Sequence, residues 1–348
     1  MSARISRVDP NMFFYIIRRL ISVVVMLLII SMATFLLFFA APEDPARLTC
    51  GKNCTPAVIE GNRKALGYDK PLPVQYGKFI QGLFVDRKFP DDPELQAKSP
   101  EIVTTCQAPC LGYSVMAHKP VRDIISDTLP VSASIALAAF VLWMIVGVSG
   151  GIIAALNRGK FLDRLIVGLA LIGFSLPTFF IGLLLLTFVS IKLKLVPIPA
   201  FTPLTDNPVM WAQGLLLPAV TLAMIFAASY VRLTRAYMLE TMSEDYIRTA
   251  RAKGVKESVV IRKHGLRAAL TPIVTAAGMD LGGLLGGAVI TEQVFSFRGL
   301  GYTAVRAITE TDLPVIVGIV IMASSFVVIA NLVVDVLYGV IDPRVRLT

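Results

Sequence analysis

Four cysteines, a Gly-x-Ser-x-Gly and an aspartate inside an apolar run are the residues whose types and spacing could do chemistry here. The cysteines come as Cys50-x3-Cys54 and Cys106-x3-Cys110 within one polar segment. An even number in an oxidising setting reads as two disulfides; three connectivities are possible, and the sequence does not choose among them. The competing reading is a four-thiolate zinc site, which belongs to a reducing compartment; no metal is expected. Gly147-Val-Ser149-Gly-Gly151 fits a nucleophile elbow, but an elbow needs a strand-to-helix turn and this stretch is apolar and helical in pattern. A serine nucleophile inside a membrane also needs a histidine within reach, and the two histidines, His118 and His264, lie outside every apolar run. The stretch reads instead as close helix packing through the GxxxG of Gly147 and Gly151.

Nucleotide chemistry is expected elsewhere too. Gly51-Lys52, Gly77-Lys78 and Gly159-Lys160 lack the glycine spacing and the hydroxyl of a phosphate-cradling GxxxxGK[ST] loop, and no HExxH occurs. The expectation is no catalytic residue and no cofactor in this chain.

The elements that must position these residues are membrane helices. Of 348 residues 55% are hydrophobic and 16% charged, with a mean hydropathy of +0.71. Soluble chains carry more charge, and several runs exceed the length that marks a membrane-crossing helix. Six spans are predicted: Leu20–Ala41, Val131–Ala155, Leu165–Ile191, Leu215–Val231, Pro272–Thr291 and Leu313–Leu337. The fourth is short and begins near Pro218, so its outer end is expected to be unwound or re-entrant. The first is too long for a cleavable signal, with no small-residue cleavage site behind it. The corresponding units are a tail and first helix (1–41), an outer subdomain (42–130), a five-helix core (131–338) with a loop at 232–271, and a tail (339–348).

Orientation follows from the basic residues. With both ends inside, the short inner segments hold eighteen Lys/Arg, nine of them between Arg232 and Arg267, and the short outer loops hold four: Lys192, Lys194, Arg298 and Arg306. The positive-inside rule then puts both termini in the cytoplasm. The net charge of +9 is a topology signal, and no nucleic-acid partner is expected.

The outer segment 42–130 is polar and proline-rich, with helices expected at Pro56–Leu66 and Pro73–Phe84. All four cysteines fall in it, and disulfides would staple a subdomain too small to hold itself by a core. The inner segment is charged and free of proline. Ser243 is expected to cap a helix with Glu244 and Asp245 in its first turn and Arg251 and Lys253 in its last, stopped by Gly254. Glu244 and Arg248 are spaced to pair on one face, and a second short helix is expected from Lys256 to Leu266. On the fifth span Gly278, Gly282 and Gly286, with Gly283 and Gly287 beside them, form a seam that lets another helix approach. Asp280 lies mid-span, where a carboxylate is costly unless it faces a partner or a cavity. It reads either as a hydrogen-bond or ion-pair partner of a neighbouring helix or as a weak counter-charge on a translocation path. Asp335, about a turn from the inner end, reads as structural, neutralised by Arg344 or Arg346.

The inner helix carries a family resemblance. Glu244-Asp-Tyr-Ile-Arg-Thr-Ala-Arg-Ala-Lys-Gly254 resembles the "EAA" loop of ABC-importer permeases, and from Asp245 onward it is similar to the dipeptide/oligopeptide branch. Arg248, Thr249 and Ala250 stand in the EAA positions, so the glutamate and first alanine are absent; the later Ile-x-Leu-Pro appears as His264-Gly-Leu266-Arg267, without its proline. Pro42-Glu-Asp-Pro45, Leu66 to Tyr76, Val294 to Gly301 and Asn331 to Arg344 resemble further signatures, so the likeness covers nearly the whole chain. The long outer loop after the first span looks like the B-type subunit. The cysteines are not part of the family pattern.

The resemblance implies a type I importer permease that forms a pseudo-twofold heterodimer with a second permease in a bacterial inner membrane. Two cytoplasmic ATPases below would bind the ATP and magnesium, and an extracytoplasmic peptide-binding protein would dock above. Glu244, Asp245, Tyr246, Arg248, Thr249, Ala250, Arg251 and Gly254 would then form the coupling helix seated on one ATPase. The cargo implied is di- or oligopeptide, with nickel chelate or glutathione as the alternative. A self-sufficient channel or secondary carrier would need internal repeats with broken helices or a proton relay, and neither is evident in the sequence.

Overall fold

The computed structural model describes residues 10–39, 44–49 and 54–341, the side chains of 10–16 and 335–341 excepted. Cys50, Asp335, Arg344 and Arg346 therefore lie outside the described residues or side chains. Five helices are long and apolar enough to cross a membrane, and a bent pair makes a sixth crossing if counted as one span. The chain is an all-α polytopic membrane protein with a small outer subdomain, as the composition required.

The spans begin and break at other residues than the sequence reading gives. The second span begins at Val121, not Val131; its helix Val121–Trp143 carries Pro130 inside and continues through a π-helical turn, Met144–Val148, into Ser149–Leu156. The third is not one helix: Phe161–Ser175 and Thr178–Lys192 meet at 99°. Pro177 holds the preceding Leu176 extended, at φ −91° and ψ 132°, because its ring disfavours the helical region for the residue before it.

The fourth span is the opposite correction. It neither unwinds nor re-enters at Pro218 but runs unbroken from Pro208 to Ser243. Asn207 starts it, its side-chain oxygen accepting from the amides of Val209 and Met210 at 3.1 Å each. The fifth follows from a short turn, Glu257–Val259, and a π-helical stretch, Val260–Gly265, straight into Leu266–Leu285. No separate inner helix ends at Leu266, which fits the missing proline of His264-Gly-Leu266-Arg267. The helix stops before Thr291 instead, at Gly286-Gly287-Ala288, and restarts as Val289–Phe295. Gly287 has φ +121°, and a Cβ on it would sit 2.5 Å from the amide nitrogen of Gly301, so only glycine fits. The sixth helix is Leu313–Ile341 and the first is Pro10–Phe39.

Small residues set the helix contacts. Gly147 packs on Ala227 and Tyr230, and Gly151 on Val231 and Thr234, joining the second span to the fourth. Gly278, Gly282 and Gly286 lie against Val334, Ala330 and Ala323 of the sixth helix. Between these seams sits an apolar core around Trp143, Ile135, Ile273 and Ala277, all buried, with Trp143 stacked on Phe226 at 4.5 Å between ring centroids.

The outer subdomain contains the two expected helices, as Pro56–Leu66 and Leu72–Gly82. It also contains two small antiparallel pairs that the sequence reading missed, one joining Arg87–Phe89 to Thr104–Cys106. At three residues or fewer these strands are too short for periodicity to reveal them. Cys106 and Cys110 form a disulfide. Cys54 is also disulfide-bonded. A core of Leu66, Phe89 and the two buried cysteines closes the subdomain, while Phe79 and Leu111 pack it onto Phe35, Val121 and Val317 at the outer ends of the first, second and sixth spans.

Candidate functional site

Three arrangements of polar residues stand on this frame: at the inner surface, at mid-membrane and at the outer ends.

The inner one is the helix Asp245–Ala252. The fourth span ends at Ser243, whose hydroxyl donates back to the Glu240 carbonyl at 2.7 Å. Ser243 therefore does not cap the next helix; extended Glu244 precedes it, with no side-chain cap. Arg248 pairs with Asp245 at 3.4 Å and not with Glu244. Gly254 ends the helix in the left-handed region, φ +74°, and nothing lies within 4 Å of where its Cβ would be, so the glycine serves the backbone turn and not a close approach. Ile247 and Ala250 are buried against Val260, with Met242 and Val255 beside them. Ala250 thus faces the protein's own body and is not on the outward face. Arg251 clips the helix end to the next element through two bonds to Glu257, at 3.1 and 2.6 Å. Exposed on it are Glu244, Asp245, Tyr246, Arg248, Thr249 and Arg251, with Ala252 and Gly254 at its end: a short helix with a polar outward face.

A second clip, unpredicted, lies close by. Asp163, 3% exposed, accepts from Arg235 Nε and Nη2 at 2.7 and 2.8 Å and from the Gly159 amide at 2.9 Å. A bidentate Arg–carboxylate pair fixes orientation as well as distance, and this one ties the inner end of the third span to the fourth. The signal in sequence was a lone acid among Arg158, Lys160 and Arg164.

At mid-membrane, the Tyr230 hydroxyl donates to Asp280 Oδ2 at 2.6 Å. The neighbouring-helix partner is therefore present, and no ion pair neutralises the carboxylate among the described residues. Asp280 is half-buried. Ser149 donates to the Ile145 carbonyl of its own helix.

The outer arrangement centres on Glu292, fully buried and absent from the sequence reading. Its Oε1 accepts from Ser132 Oγ at 2.7 Å and from the Ala288 amide at 3.1 Å, and its Oε2 from the Tyr302 amide at 2.8 Å. Ser132 Oγ in turn accepts from the Leu300 amide at 2.7 Å. One carboxylate thus fastens the second span, the break after the fifth and the start of the helix Leu300–Glu310. Ser114 donates to Asp312 in a second buried contact that ties the outer subdomain to the start of the sixth helix.

The chain is similar to known proteins along nearly its whole length. Residues 147–347 match the family model described as "Binding-protein-dependent transport system inner membrane component", and 12–136 match that of its N-terminal part. A putative peptide transport system permease protein of Brucella abortus is 38% identical over 313 residues, 90% of this chain and 92% of that one. The glutathione transport system permease protein GsiC of Escherichia coli K12 is 37% identical over 335 residues, covering 96% and 99%. A solved chain of the MetNI methionine ABC transporter, in an inward-facing conformation, superposes with a TM-score of 0.49 at 16% identity, covering 63% of this chain and 96% of that one. With one family model spanning more than half of its length and relatives above one-third identity along almost all of it, this chain belongs to the inner membrane components of binding-protein-dependent transport systems.

Proposed function

We propose that the chain is the non-catalytic permease subunit of an ATP-driven peptide importer, forming half of the translocation path beside a second permease. The observation that carries the reading is the helix Asp245–Ala252. It is held by Ile247, Ala250 and the Arg251–Glu257 clip, and it turns an exposed polar face to the inner surface. Such a face suits a groove on a soluble ATPase, which binds the ATP and magnesium that this chain has no loop to hold. Closure of two such ATPases would push the inner helices together and swing the spans. Both termini lie in the cytoplasm in this reading, and an extracytoplasmic binding protein delivers cargo to the outer face.

The cargo is di- or oligopeptide, supported by the Brucella relative; the GsiC relative favours glutathione, itself a short γ-linked peptide, as the second reading. Asp280 offers passing amino termini a weak counter-charge, weak because the Tyr230 hydroxyl already occupies Oδ2. The test is reconstitution with the second permease, the ATPases and the binding protein. ATP-dependent uptake of labelled peptides is expected; uptake without ATP, or of no peptide, sinks the reading.

A further inference from the structure

Between the start of the second span, the loop at Pro199–Phe201, the turn Phe295–Arg298 and the helix Leu300–Glu310 lies an outward cleft of about 710 Å³. That is within the size range of small-molecule sites. Its wall is apolar, with Val131, Phe201, Phe295 and Phe297. Its charges are mostly matched internally. Lys119 Nζ is 3.8 Å from Asp127 and Arg306 Nε is 2.8 Å from Glu310; the Asp312 carboxylate, without a cation partner among the described residues, is buried and accepts from Ser114. Arg298 lines the same cleft, is exposed, and makes no ion pair among the described residues.

The turn that carries Arg298 is fixed. Ser296 holds φ +55°. Phe297 is 2% exposed, with its ring 6.3 Å from that of Phe201. A Cβ on Gly299 would sit 2.5 Å from Ser132 Oγ and 2.6 Å from Glu292, so the backbone after Arg298 is pressed onto the buried Glu292 network. An arginine on an anchored backbone loses less freedom when it forms a fork with a planar anion. We propose that Arg298 makes this cleft a carboxylate-binding subsite that takes the C-terminal carboxylate of an incoming peptide, whose last side chain lies on the phenylalanine wall. The inference rests on the peptide-import reading above and adds where, and by which end, the cargo is first held.

The test is paired uptake, in proteoliposomes holding the complete complex, of one tripeptide as its free acid and as its C-terminal amide. Wild type, Arg298→Gln and Arg298→Lys are compared, and the binding protein's affinity for each peptide and for the complex is measured alongside. Arg298→Gln is expected to slow the free acid about three- to tenfold and leave the amide within about twofold, with Arg298→Lys between. Equal loss for both peptides, or loss for neither, overturns the subsite. Weaker docking of the binding protein in Arg298→Gln also overturns it, by assigning the carboxylate to that protein. If the wild-type complex imports neither peptide, the import reading fails and takes the subsite with it.

Discussion

The inner and outer ends of this molecule solve the same problem, holding a short non-spanning element at a fixed angle, by opposite chemistry. Inside, Asp245–Ala252 is held by two small apolar contacts and one solvent-facing ion pair. Outside, the turn and helix after the fifth span are held by a buried carboxylate that accepts from Ser132 and from the Ala288 and Tyr302 amides. A buried polar network is stiff because every broken bond leaves an unsatisfied group; an apolar contact with an exposed clip yields more easily. The inner element is therefore the one suited to being moved by a partner, and the outer one to keeping its shape while spans shift beneath it.

The comparison breaks most visibly at Glu292. Glu292→Ala strands a hydroxyl and backbone amides in a buried site and should cost about 3 kcal/mol or more, read as lower yield and a lower melting temperature in detergent; Glu292→Gln should cost less. An unchanged melting temperature in Glu292→Ala would mean that the outer end is not held this way. Next in size is the seam: Gly282→Leu drives a side chain into Ala330 and the Phe326 carbonyl, which should cost about 1–3 kcal/mol. The fifth and sixth helices would then pack poorly, seen as protease sensitivity of the inserted chain.

Inside, Gly254→Val meets no neighbour but must occupy φ +74°, a penalty of about 1–2 kcal/mol confined to one turn. Membrane insertion should stay normal while ATP-driven uptake falls. Ala250→Trp acts differently, by prising the helix off Val260, so it should release the inner element itself. Asp280→Asn keeps the Tyr230 contact in shape and removes the charge. Peptides with free amino termini should enter a few-fold more slowly, and acetylated ones that the binding protein still accepts should be unchanged; equal loss for both would make Asp280 purely structural.

The smallest effect is a pH dependence of the outer subdomain. Burial alone would raise the Asp91 carboxyl, but the Lys70 and Lys78 ammonium groups, at 2.8 and 2.6 Å, hold it below the usual carboxylate range. A lowered folded pKa gives stability that is present above the unfolded pKa and lost as pH falls through the folded one. Acid should loosen the subdomain by about 1 kcal/mol, followed by proteolysis near residues 87–106, and Asp91→Asn should flatten that dependence.

What could be read from the sequence follows from range. The spans, the outer helices and the Gly278–Gly282–Gly286 seam are local patterns, and hydropathy or spacing of four displays them. Asn207-Pro208 and Leu176-Pro177 were legible signals too: a cap that starts the fourth span early and a proline that breaks the third. The Ser243 cap failed because the helix of the fourth span, Pro208–Ser243, continues about three turns past the predicted end at Val231 and swallows the residue meant to start the next helix. Glu292, Asp163 and Asp312 were hidden because each is made important by partners 160, 72 and 198 residues away in sequence, which no local pattern encodes.

The central claim, that the face of Asp245–Ala252 couples this chain to an ATPase, is tested most directly by charge reversal on that face. Arg248 is 73% exposed, so Arg248→Glu leaves the fold and the buried Ile247–Ala250 contact intact. In the reconstituted complex, peptide uptake and ATP hydrolysis are measured together with retention of the ATPases on the purified permease. The expected result is inserted, folded permease that retains less ATPase and imports peptide at a small fraction of the wild-type rate. Wild-type retention with wild-type uptake in Arg248→Glu, and again in Tyr246→Ala, would contradict the claim.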